Sequence, residues 1–595
     1  MFTTRPELLG TFGVVASTHW LASAAGMAML EKGGNAFDAA VAAGFVLHIA
    51  EPHLNGPGGD MPVLIHHRAS DSYRMICGQG VAPAGATIDH FRSLGLDLIP
   101  GNGLLATVVP GAFDAYMLML RDYGTMTLEE VWAPAIHYAE NGAPLVARVC
   151  ETIRTVEAMF RNHWRSSADV YMPGGSVPAP GTLLGNVGIA GTWRRILEEA
   201  QAASGDREAQ IEAARTAFYT GFVAEAVDAF CRENATMDVT GERHYGVLAG
   251  DDMARWRASY EEPLRYRFRG VDVLKGGPWS QGPVLLQQLA LLDGFDLERM
   301  DPTGPELVHT VTECTKLAFA DREMFYGDPD FVEVPVETLL SKAYNDARRK
   351  LVGPKASLEF RPGEIDGHGA PIDYDRLVAA GKAKAGALAG IGEPTTGREI
   401  PATGDTCHID VIDKDGNMVS ATPSGGWLQS SPVIPELGFC LNSRAQMFWL
   451  EEGRPATLEP GKRPRSTLSP SMAIKDGQPC MAFGTPGGDQ QDQWQAIFLV
   501  LHLAHGMNLQ EAIDAPSFHN EHHPGSFYPR SATPGRLVVE GRFPRETVAE
   551  LQRRGHRIEV GGDWSEGRLS AARQDDGLFR AAANPRGMQG YAVGR

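Results

Sequence analysis

A threonine at the junction between a loop and a strand is the first residue of this sequence that could do chemistry. The stretch IGEPTTGREIPATGD, residues 391–405, has no helical or strand period and is typical of an exposed loop. Directly after it, Cys407 to Ile412 are largely β-compatible, and Lys414-Asp415-Gly416-Asn417 is a turn with residues suited to positive φ. The pattern predicts a hairpin immediately behind Thr406, which makes Thr406 a candidate nucleophile.

A second candidate for chemistry is the glycine pair in AFGTPGGDQQDQW. Gly487 and Gly488 follow a strand pattern and precede a helix pattern. Two glycines there let backbone N–H groups point outwards beside the positive end of a helix, as an oxyanion hole requires. A helix N-terminal turn without catalytic duty explains the segment equally well, and the residues alone do not connect it with Thr406.

The densest group of potential metal ligands is FHNEHHPG, with His519, Glu521, His522 and His523. Neighbouring histidines on a strand cannot easily face one ion, and a metal site needs ligands from several elements with an ordered second shell. A loop with packed imidazoles is favoured, so no metal is predicted. No GxSxG elbow and no Walker A motif occur, and no cofactor is expected.

Composition and charge exclude several classes of protein. The chain has 595 residues, 43% of them hydrophobic, and a formal net charge of -19. Such an acidic chain repels phosphate backbones and anionic membranes, so neither nucleic acid nor a membrane is an expected partner. The seven cysteines show no CxxC spacing and are predicted to be buried reduced thiols. Pro6 and Glu7 interrupt the start where a signal peptide has its apolar core, which predicts a soluble, cytoplasmic protein.

The periodicity predicts alternating pairs of helices and strands. Residues 19–50 have a helical pattern broken at Gly33-Gly34, with Asn35 available as a cap. Paired strands are predicted after Thr406, including one in GFCLNSRAQMFWL (residues 438–450), and a strand–helix–strand pattern over 536–560 is expected to close the chain. These elements predict an α+β fold, a four-layer αββα sandwich, whose best internal break is the loop at 385–405.

Several long segments resemble the γ-glutamyltranspeptidase family of N-terminal nucleophile hydrolases. They include GGNAFDAAVAAGFVLHIAEPHLNGPGGD, KLAFADREMFYGDPDFVEVPVETLLSKAY, GDTCHIDVIDKDGNMVSA and KRPRSTLSPSMAIKDGQPCMAFGTPGGDQQDQ. The resemblance implies a precursor that cuts itself between Asp405 and Thr406. It also implies that fragments 1–405 and 406–595 stay associated in one αββα body.

The same resemblance assigns roles to residues of this chain. The freed α-amino group of Thr406 would be the base for its own hydroxyl, because its reference pKa of about 7.7–8.0 lets it accept a proton near neutral pH. Ser424 falls where the family has a threonine that hydrogen-bonds the nucleophile, and Gly487 and Gly488 form the oxyanion hole. Ser466 and Thr467 fall on the serine pair that contacts the substrate carboxylate.

Three positions depart from the family pattern. Gln79 stands at the position of the arginine for the γ-glutamyl α-carboxylate, Met447 at that of the aspartate for the α-amino group, and Gly426 at that of an asparagine. Methionine cannot bind an ammonium, and glutamine cannot make the arginine fork. We therefore hypothesise that Arg444 replaces the missing cation. The alternative for Arg444 is a surface ion pair.

The sequence thus predicts hydrolysis of a small amide that bears a carboxylate, through an acyl-threonine intermediate. The oxamate amidohydrolase and cephalosporin acylase branches of the family tolerate such departures. Genuine γ-glutamyl transfer is the alternative. Two other classes stay open, a processed but inactive binding paralogue and a metalloamidase that uses the histidine loop.

Overall fold

The computed structural model describes residues 2–384, 406–575 and 577–595. Its strands are β1 Leu8–Gly10, β2 Val14–Ser17, β3 Met61–His67, β4 Ser72–Gly78, β5 Ala143–Pro144, β6 Leu183–Leu184, β7 Thr236–Met237, β8 Arg243–His244, β9 Ser259–Glu261, β10 Leu264–Phe268, β11 Val271–Lys275, β12 Ile409–Ile412, β13 Met418–Ala421, β14 Ser471–Lys475, β15 Gln478–Gly484, β16 Phe518–Asn520, β17 Arg536–Val539, β18 Arg557–Val560, β19 Ser570–Asp575, β20 Leu578–Ala583 and β21 Tyr591–Gly594.

The helices cover much of the remaining chain. They are α1 Trp20–Glu31, α2 Ala36–Ala50, α3 Ile88–Ser93, α4 Ala112–Tyr123, α5 Leu128–Asn141, α6 Ala147–Asn162, α7 Arg165–Tyr171, α8 Val187–Ala203, α9 Arg207–Tyr219, α10 Phe222–Glu233, α11 Gly250–Arg255, α12 Gly282–Leu292, α13 Pro305–Phe325, α14 Val336–Leu340, α15 Lys342–Arg349, α16 Tyr374–Lys384, α17 Gln491–Leu499, α18 Leu509–Asp514 and α19 Arg545–Arg553.

Two antiparallel sheets form the centre of the fold. Sheet one has the strand order β1-β20-β19-β15-β14-β11-β10, and sheet two the order β21-β2-β12-β13-β3-β4-β9. Both sheets combine strands from before and after the segment 385–405. In sheet two, β12 lies between β2 and β13, with Ile409 opposite Ser17 on one side and Ala421 on the other.

Side-chain alternation along the strands separates the layers. On β12, Ile409 and Val411 belong to the core shared with α1, α2, α4, α5, α8 and α9, whereas Ile412 belongs to the core between the two sheets. On sheet one, Phe483 packs into a third core with α12, α13 and α17. Each sheet is therefore covered by helices on its outer face, which confirms the four-layer αββα prediction.

Several local predictions are confirmed. Asn35 makes a capping box at the start of α2, after the break at Gly33-Gly34. The hairpin behind Thr406 is β12–β13, and the strand–helix–strand pattern is β17–α19–β18, with the two strands parallel. All seven cysteines lie in the described ranges, are buried and form no disulfide. Within the described ranges, no helix combines the length and the apolar character needed to cross a bilayer.

Two local predictions are wrong. Residues 438–450 do not form a strand, because they make isolated bridges, such as Gly58 to Leu441, and a 3-10 turn over Arg444–Met447. The strand–helix–strand pattern does not close the chain either, since β19, β20 and β21 follow it and join the central sheets. Alanine-rich strands such as Leu578–Ala583 lack the β-branched signature by which strands are recognised.

Candidate active site

Thr406 lies three residues before β12, an inner strand of sheet two, and is fully buried. Its Oγ1 is 3.2 Å from Oγ of Ser424, and the two residues form an antiparallel bridge. The neighbouring Cys407 N–H donates to the Pro423 carbonyl at 2.9 Å, which continues the β12–β13 pairing towards Thr406. The structure thus brings together the two hydroxyls that the sequence proposed as nucleophile and partner.

A buried network holds the strand behind Thr406. The His408 ring lies 3.0 Å from the Thr422 hydroxyl and 2.9 Å from the Asp410 carboxylate. Asp410 accepts a 2.8 Å hydrogen bond from Ser570 of sheet one, so the two sheets are joined directly below the site. A side chain on Gly484 would place its Cβ 2.3 Å from the His408 ring, so glycine is required there for the sheets to approach.

The Gly487-Gly488 pair follows β15 and leads into α17. Gly487 has φ +123° and Gly488 φ +47°, and a Cβ on Gly487 would lie 2.4 Å from the Trp494 ring. The carbonyl of Gly488 accepts from the Gln281 amide at 3.2 Å, which fixes the orientation of this peptide. Because β15 also carries Gly484, packed on His408, the pair lies at the same end of the sandwich as Thr406.

The residue after the glycine pair anchors the loop. The Asp489 carboxylate pairs with Arg322 and accepts hydrogen bonds from the backbone and hydroxyl of Ser526 at 2.8 and 2.6 Å. Burial alone would raise the pKa of Asp489, but the charges of Arg322, His523 and Arg465 outweigh it and hold the pKa well below the usual range. Asp489 is therefore ionised, and the loop that presents the two glycine amides is fixed at its far end.

Asp60, for which the sequence gives no local signal, connects Arg444 to the site. Its backbone pairs with Ser424 in both directions, at 2.8 and 3.0 Å. Its carboxylate accepts from Nε of Arg444 at 2.9 and 3.0 Å. Arg444 is 0% exposed, so the alternative of a surface ion pair is wrong.

The outer nitrogens of Arg444 have a different environment from its Nε. Among the residues that the structure describes, none is hydrogen-bonded to Nη1 or Nη2 of Arg444, although both atoms are buried. The guanidinium carbon lies 5.1 Å from the Trp427 ring centre and 6.0 Å from that of Phe527. This guanidinium is buried beside aromatic rings, and its two outer nitrogens have no partner among the described residues. Such a group is suited to bind a carboxylate.

The three departures from the family pattern lie in distinct surroundings. Met447 packs with Trp427 and Phe527 in a small apolar cluster. Gly426 has φ +63°, and a Cβ there would lie 2.8 Å from the Gly59 nitrogen, so no larger residue fits. Gln79 is buried directly after β4 and donates to the Gly80 carbonyl at 3.2 Å. The structure therefore brings Met447 into contact with the rings that lie beside Arg444.

The adjacent pair Ser466 and Thr467 is buried next to sheet one. The Ser466 N–H donates to the Trp279 carbonyl at 2.9 Å, and its hydroxyl accepts from the Leu468 N–H at 3.3 Å. Thr467 Oγ1 is buried and has no hydrogen-bond partner within the described residues. Of this pair, Thr467 has the hydroxyl that is open to a substrate group. Asp405, the residue before the predicted cut, lies outside the described residues.

The histidine loop uses its rings in hydrogen bonds and stacking. His519 lies between Glu566 at 2.5 Å and Glu521 at 3.4 Å, and His522 between the Glu359 carbonyl and the Gly535 N–H, each at 3.1 Å. The ring of His523 stacks on Phe319.

The described part of the chain has its possible metal-ligand group elsewhere, at His309, Glu313 and His556. Glu313 already pairs with Lys316 and Arg361 there. The two cations compete with a metal ion for this carboxylate, and no metal chemistry is assigned to the group.

A buried glutamate, also missed in the sequence, lies on the other face of the nucleophile's strand. Glu51 accepts hydrogen bonds from Thr18 at 2.5 Å, from the Cys407 thiol at 3.0 Å, and from the Gln589 amide. Burial raises the pKa of Glu51, against the effect of these donors. An AEPH segment gives no local signal for this role, because its partners come from three distant parts of the chain.

Comparison with known proteins gives a consistent picture. A family model described as Gamma-glutamyltranspeptidase matches residues 22–594. The chain is 31% identical to the Glutathione hydrolase-like YwrD proenzyme of Bacillus subtilis, over 99% of each chain. Its fold matches LmbA2991HD with a TM-score of 0.93 and 56% identity over 100% of both chains. It also matches the cephalosporin acylase from Bacillus halodurans with a TM-score of 0.82 and 27% identity, over 100% of this chain and 98% of that one.

Proposed function

We propose, from the premise that this chain belongs to the γ-glutamyltranspeptidase family, that it is a self-processing amidohydrolase for acyl groups that carry a carboxylate. Family membership makes it an amide-cleaving N-terminal nucleophile hydrolase at the general level, since its full-length relatives are named hydrolases and acylases. Their names also include the word proenzyme. The proposal adds three points to this: the nucleophile, the self-cleavage and the substrate class.

The first step is cleavage between Asp405 and Thr406. The Thr406 hydroxyl attacks the Asp405 carbonyl, the peptide C–N bond breaks as the ester C–O bond forms, and water then hydrolyses the ester. The products are fragments 1–405 and 406–595, with a free α-amino group on Thr406. Because sheet two combines strands from both fragments, with β12 between β2 and β13, the fragments stay associated after the cut.

The second step uses the new chain end as its own base. The α-amino group takes the Thr406 hydroxyl proton while Oγ1 forms a bond to the substrate amide carbon. The N–H groups of Gly487 and Gly488 stabilise the oxyanion. The C–N bond then breaks, the amine leaves with the proton, and water hydrolyses the acyl-threonine. Ser424, 3.2 Å from Oγ1, orients the hydroxyl.

The observation that carries the substrate class is the buried guanidinium of Arg444, with two nitrogens that have no partner among the described residues. A buried charged donor without a hydrogen-bond acceptor costs free energy, and one substrate carboxylate can accept from both outer nitrogens of Arg444. Asp60 neutralises part of the charge and holds the fork in place. The apolar cluster of Trp427, Met447 and Phe527 disfavours an ammonium beside the same guanidinium. The proposed acyl group is therefore a short chain with a carboxylate and no α-amino group.

The test compares p-nitroanilides of glutaric acid, pentanoic acid and L-γ-glutamic acid, with oxamate as a small amide. The proposal predicts that the glutaryl compound is cleaved about 10- to 100-fold faster, in kcat/KM, than its pentanoyl analogue. The γ-glutamyl compound is expected to have a kcat/KM no higher than that of the glutaryl compound. Fast, stereospecific γ-glutamyl turnover would instead support genuine γ-glutamyl transfer, and no turnover of any compound would support the inactive paralogue.

A further inference from the structure

The turn after α2 contacts the chain next to both hydroxyls of the candidate site. This turn, residues 51–55, begins at the C-cap of α2 and leads towards β3. Its first and last residues, Glu51 and Asn55, are 0% and 1% exposed. Neither has a part in the two proposed steps, although both contact residues that directly follow Thr406 or Ser424.

Glu51 holds the residue that follows the nucleophile. One carboxylate oxygen, Oε2, accepts from the Cys407 thiol at 3.0 Å and from the Thr18 hydroxyl at 2.5 Å. The other oxygen, Oε1, accepts from the Gln589 amide. Thr18 directly follows β2, and Gln589 lies shortly before β21, the strand that pairs with β2. The carboxylate therefore fixes Cys407 relative to the neighbouring strands of sheet two.

Asn55 holds the same thiol and also the strand of Ser424. Its Nδ2 lies 3.2 Å from Sγ of Cys407, and its backbone forms a parallel bridge with Gly425. Gly425 is the residue directly after Ser424. The same Nδ2 donates to the Glu51 carbonyl at 3.2 Å, which fixes the Asn55 side chain against the end of α2. One turn thus holds the residue after each of the two hydroxyls.

Two carbonyls in the middle of the turn extend this contact along the chain after Ser424. The Leu428 N–H donates to the Pro52 carbonyl at 2.8 Å. The Gln429 amide donates to the His53 carbonyl at 3.0 Å. The turn is therefore joined to the segment of Ser424 at several points, and to the segment of Thr406 through the thiol of the next residue.

This hold on the thiol matters most after the proposed cut. Cleavage removes one of the two peptide bonds of Thr406, so that Cys407 becomes its only covalent connection to the fold. A chain end is poorly ordered unless other contacts tie it down. The Cys407 N–H donates to the Pro423 carbonyl at 2.9 Å, and the thiol supplies a second contact. Since successive side chains of an extended chain point to opposite faces, the thiol is held without filling the space beside the Thr406 hydroxyl.

We propose that Glu51 is a positioning residue for the nucleophile. Through Cys407, and together with Asn55, it holds the new chain end so that Thr406 Oγ1 stays next to Ser424. The inference rests on the proposed function for the role of Thr406. Glu51 lies on the other face of the strand and exchanges no proton with the substrate. Its effect is on the rate of attack and not on the binding of the acyl carboxylate.

The first test removes the thiol and then restores a donor. Cys407→Ala is expected to lower kcat for glutaryl-p-nitroanilide about 10- to 100-fold with a nearly unchanged KM, because a displaced nucleophile slows the chemical step while Arg444 still binds the substrate. Cys407→Ser keeps a donor for Glu51 and is expected to recover most of the rate. A lower kcat that Cys407→Ser does not recover at all overturns the proposal.

Cys480→Ala is the matched control. This buried thiol of β15 donates to the Ala473 carbonyl at 3.3 Å, and its removal is expected to leave kcat unchanged. Equal kcat values for Cys407→Ala and Cys480→Ala also overturn the proposal, because the loss of any buried thiol would then have the same effect.

The second test is a double-mutant cycle between the two residues. Glu51→Gln keeps the size of the side chain but replaces one acceptor oxygen by an amide nitrogen. It is expected to lower kcat, and the double variant with Cys407→Ala is expected to be no slower than the slower single variant, because both changes break the same contact. Thermal melting checks that each variant is folded. Rate losses that multiply in the double variant mean that the two residues act separately, which overturns the proposal.

Self-cleavage needs no added substrate and separates this inference from the proposed function. A time course after cell-free synthesis is expected to show slower cutting of Cys407→Ala and Glu51→Gln, and unchanged cutting of Cys480→Ala. If this pattern is seen but no amide is hydrolysed, the positioning role stands and the assigned amidohydrolase activity is wrong. If both variants cut themselves and hydrolyse glutaryl amides at wild-type rates, the proposed function stands and the role of Glu51 is wrong. A wild-type chain that stays uncut overturns both.

Discussion

Arg444 donates through Nε to both carboxylate oxygens of Asp60, at 2.9 and 3.0 Å, and both side chains are fully buried. The backbone of Asp60 pairs with that of Ser424, whose hydroxyl lies 3.2 Å from Thr406 Oγ1. One continuous set of contacts therefore links the proposed carboxylate-binding residue to the proposed nucleophile. The position of the acyl carboxylate is fixed relative to the attacking oxygen by this set.

Arg444→Lys keeps the charge but loses the planar fork, so we expect kcat/KM for glutaryl-p-nitroanilide to fall about 10- to 100-fold. The pentanoyl analogue serves as the control, because its acyl chain has no carboxylate to lose. Steady-state kinetics with the two substrates measures the effect. An equal loss for both substrates would mean that Arg444 has only a structural role.

Arg444→Leu tests the ion pair between Arg444 and Asp60 through its effect on thermal stability. It leaves Asp60 as a buried charge without its cation, which typically costs about 3–5 kcal/mol. Adding Asp60→Asn removes that charge, so the double variant is expected to recover thermal stability while the preference for the glutaryl substrate stays lost. Recovery of the preference together with stability would contradict the role of Arg444.

Ser424→Ala removes the hydroxyl next to Thr406, and we expect slower self-cleavage and a kcat reduced by about 10- to 100-fold. Ser424→Thr restores the hydroxyl and is expected to restore most of the rate. Ser420→Ala is the matched control, since this buried serine of β13 donates to the Phe483 carbonyl at 3.2 Å. Both alanine variants lose about 1 kcal/mol of stability, but only the first loses rate.

Gly487→Ala is expected to reduce kcat by about 100-fold or more, because the oxyanion loop must move. Its φ of +123° and the 2.4 Å approach of a Cβ to Trp494 both oppose a side chain. Gly477→Ala is the control: it also has positive φ, at +78°, but a Cβ there meets nothing within 4 Å. That variant loses about 1–2 kcal/mol of stability with its kcat intact. Similar kcat values for the two variants would mean that Gly487 does not stabilise the oxyanion.

His519 predicts a pH-dependent stability. Burial alone would lower its pKa, but Glu566 and Glu521 outweigh burial and raise it from 6.5 to about 10. A raised pKa in the folded protein gives stability that is complete below pH 6.5 and is lost as the pH rises towards 10. Calorimetry at both ends of this range is expected to show a larger fall in Tm for the wild-type protein than for His519→Gln. Parallel falls would mean that His519 is not protonated at neutral pH.

The sequence was sufficient where the signal is local. Asn35 at a glycine break predicts the start of α2, and the turn around Gly416 predicts the hairpin that places Thr406 next to Ser424. These features depend on caps and turn residues within a few positions of each other. The four-layer fold followed from the order of such elements and from the family resemblance.

The sequence was insufficient where contacts are distant along the chain. Asp60 meets Arg444 across 384 positions, and Glu51 meets Gln589 across 538. The segment around Arg444 contains β-compatible residues, yet it folds as a 3-10 turn because its backbone bridges to Gly58 and its side chains pack inwards. Tertiary contacts override local strand propensity there.

The most direct test of the central claim is the intact mass of the purified protein, for the wild-type chain and for Thr406→Ala. The account predicts two wild-type fragments that end at Asp405 and begin at Thr406, an amidase activity that follows the fraction cut, and a Thr406→Ala variant that stays whole and inactive. An uncut wild-type chain that hydrolyses amides, or a Thr406→Ala variant that still does so, would contradict it.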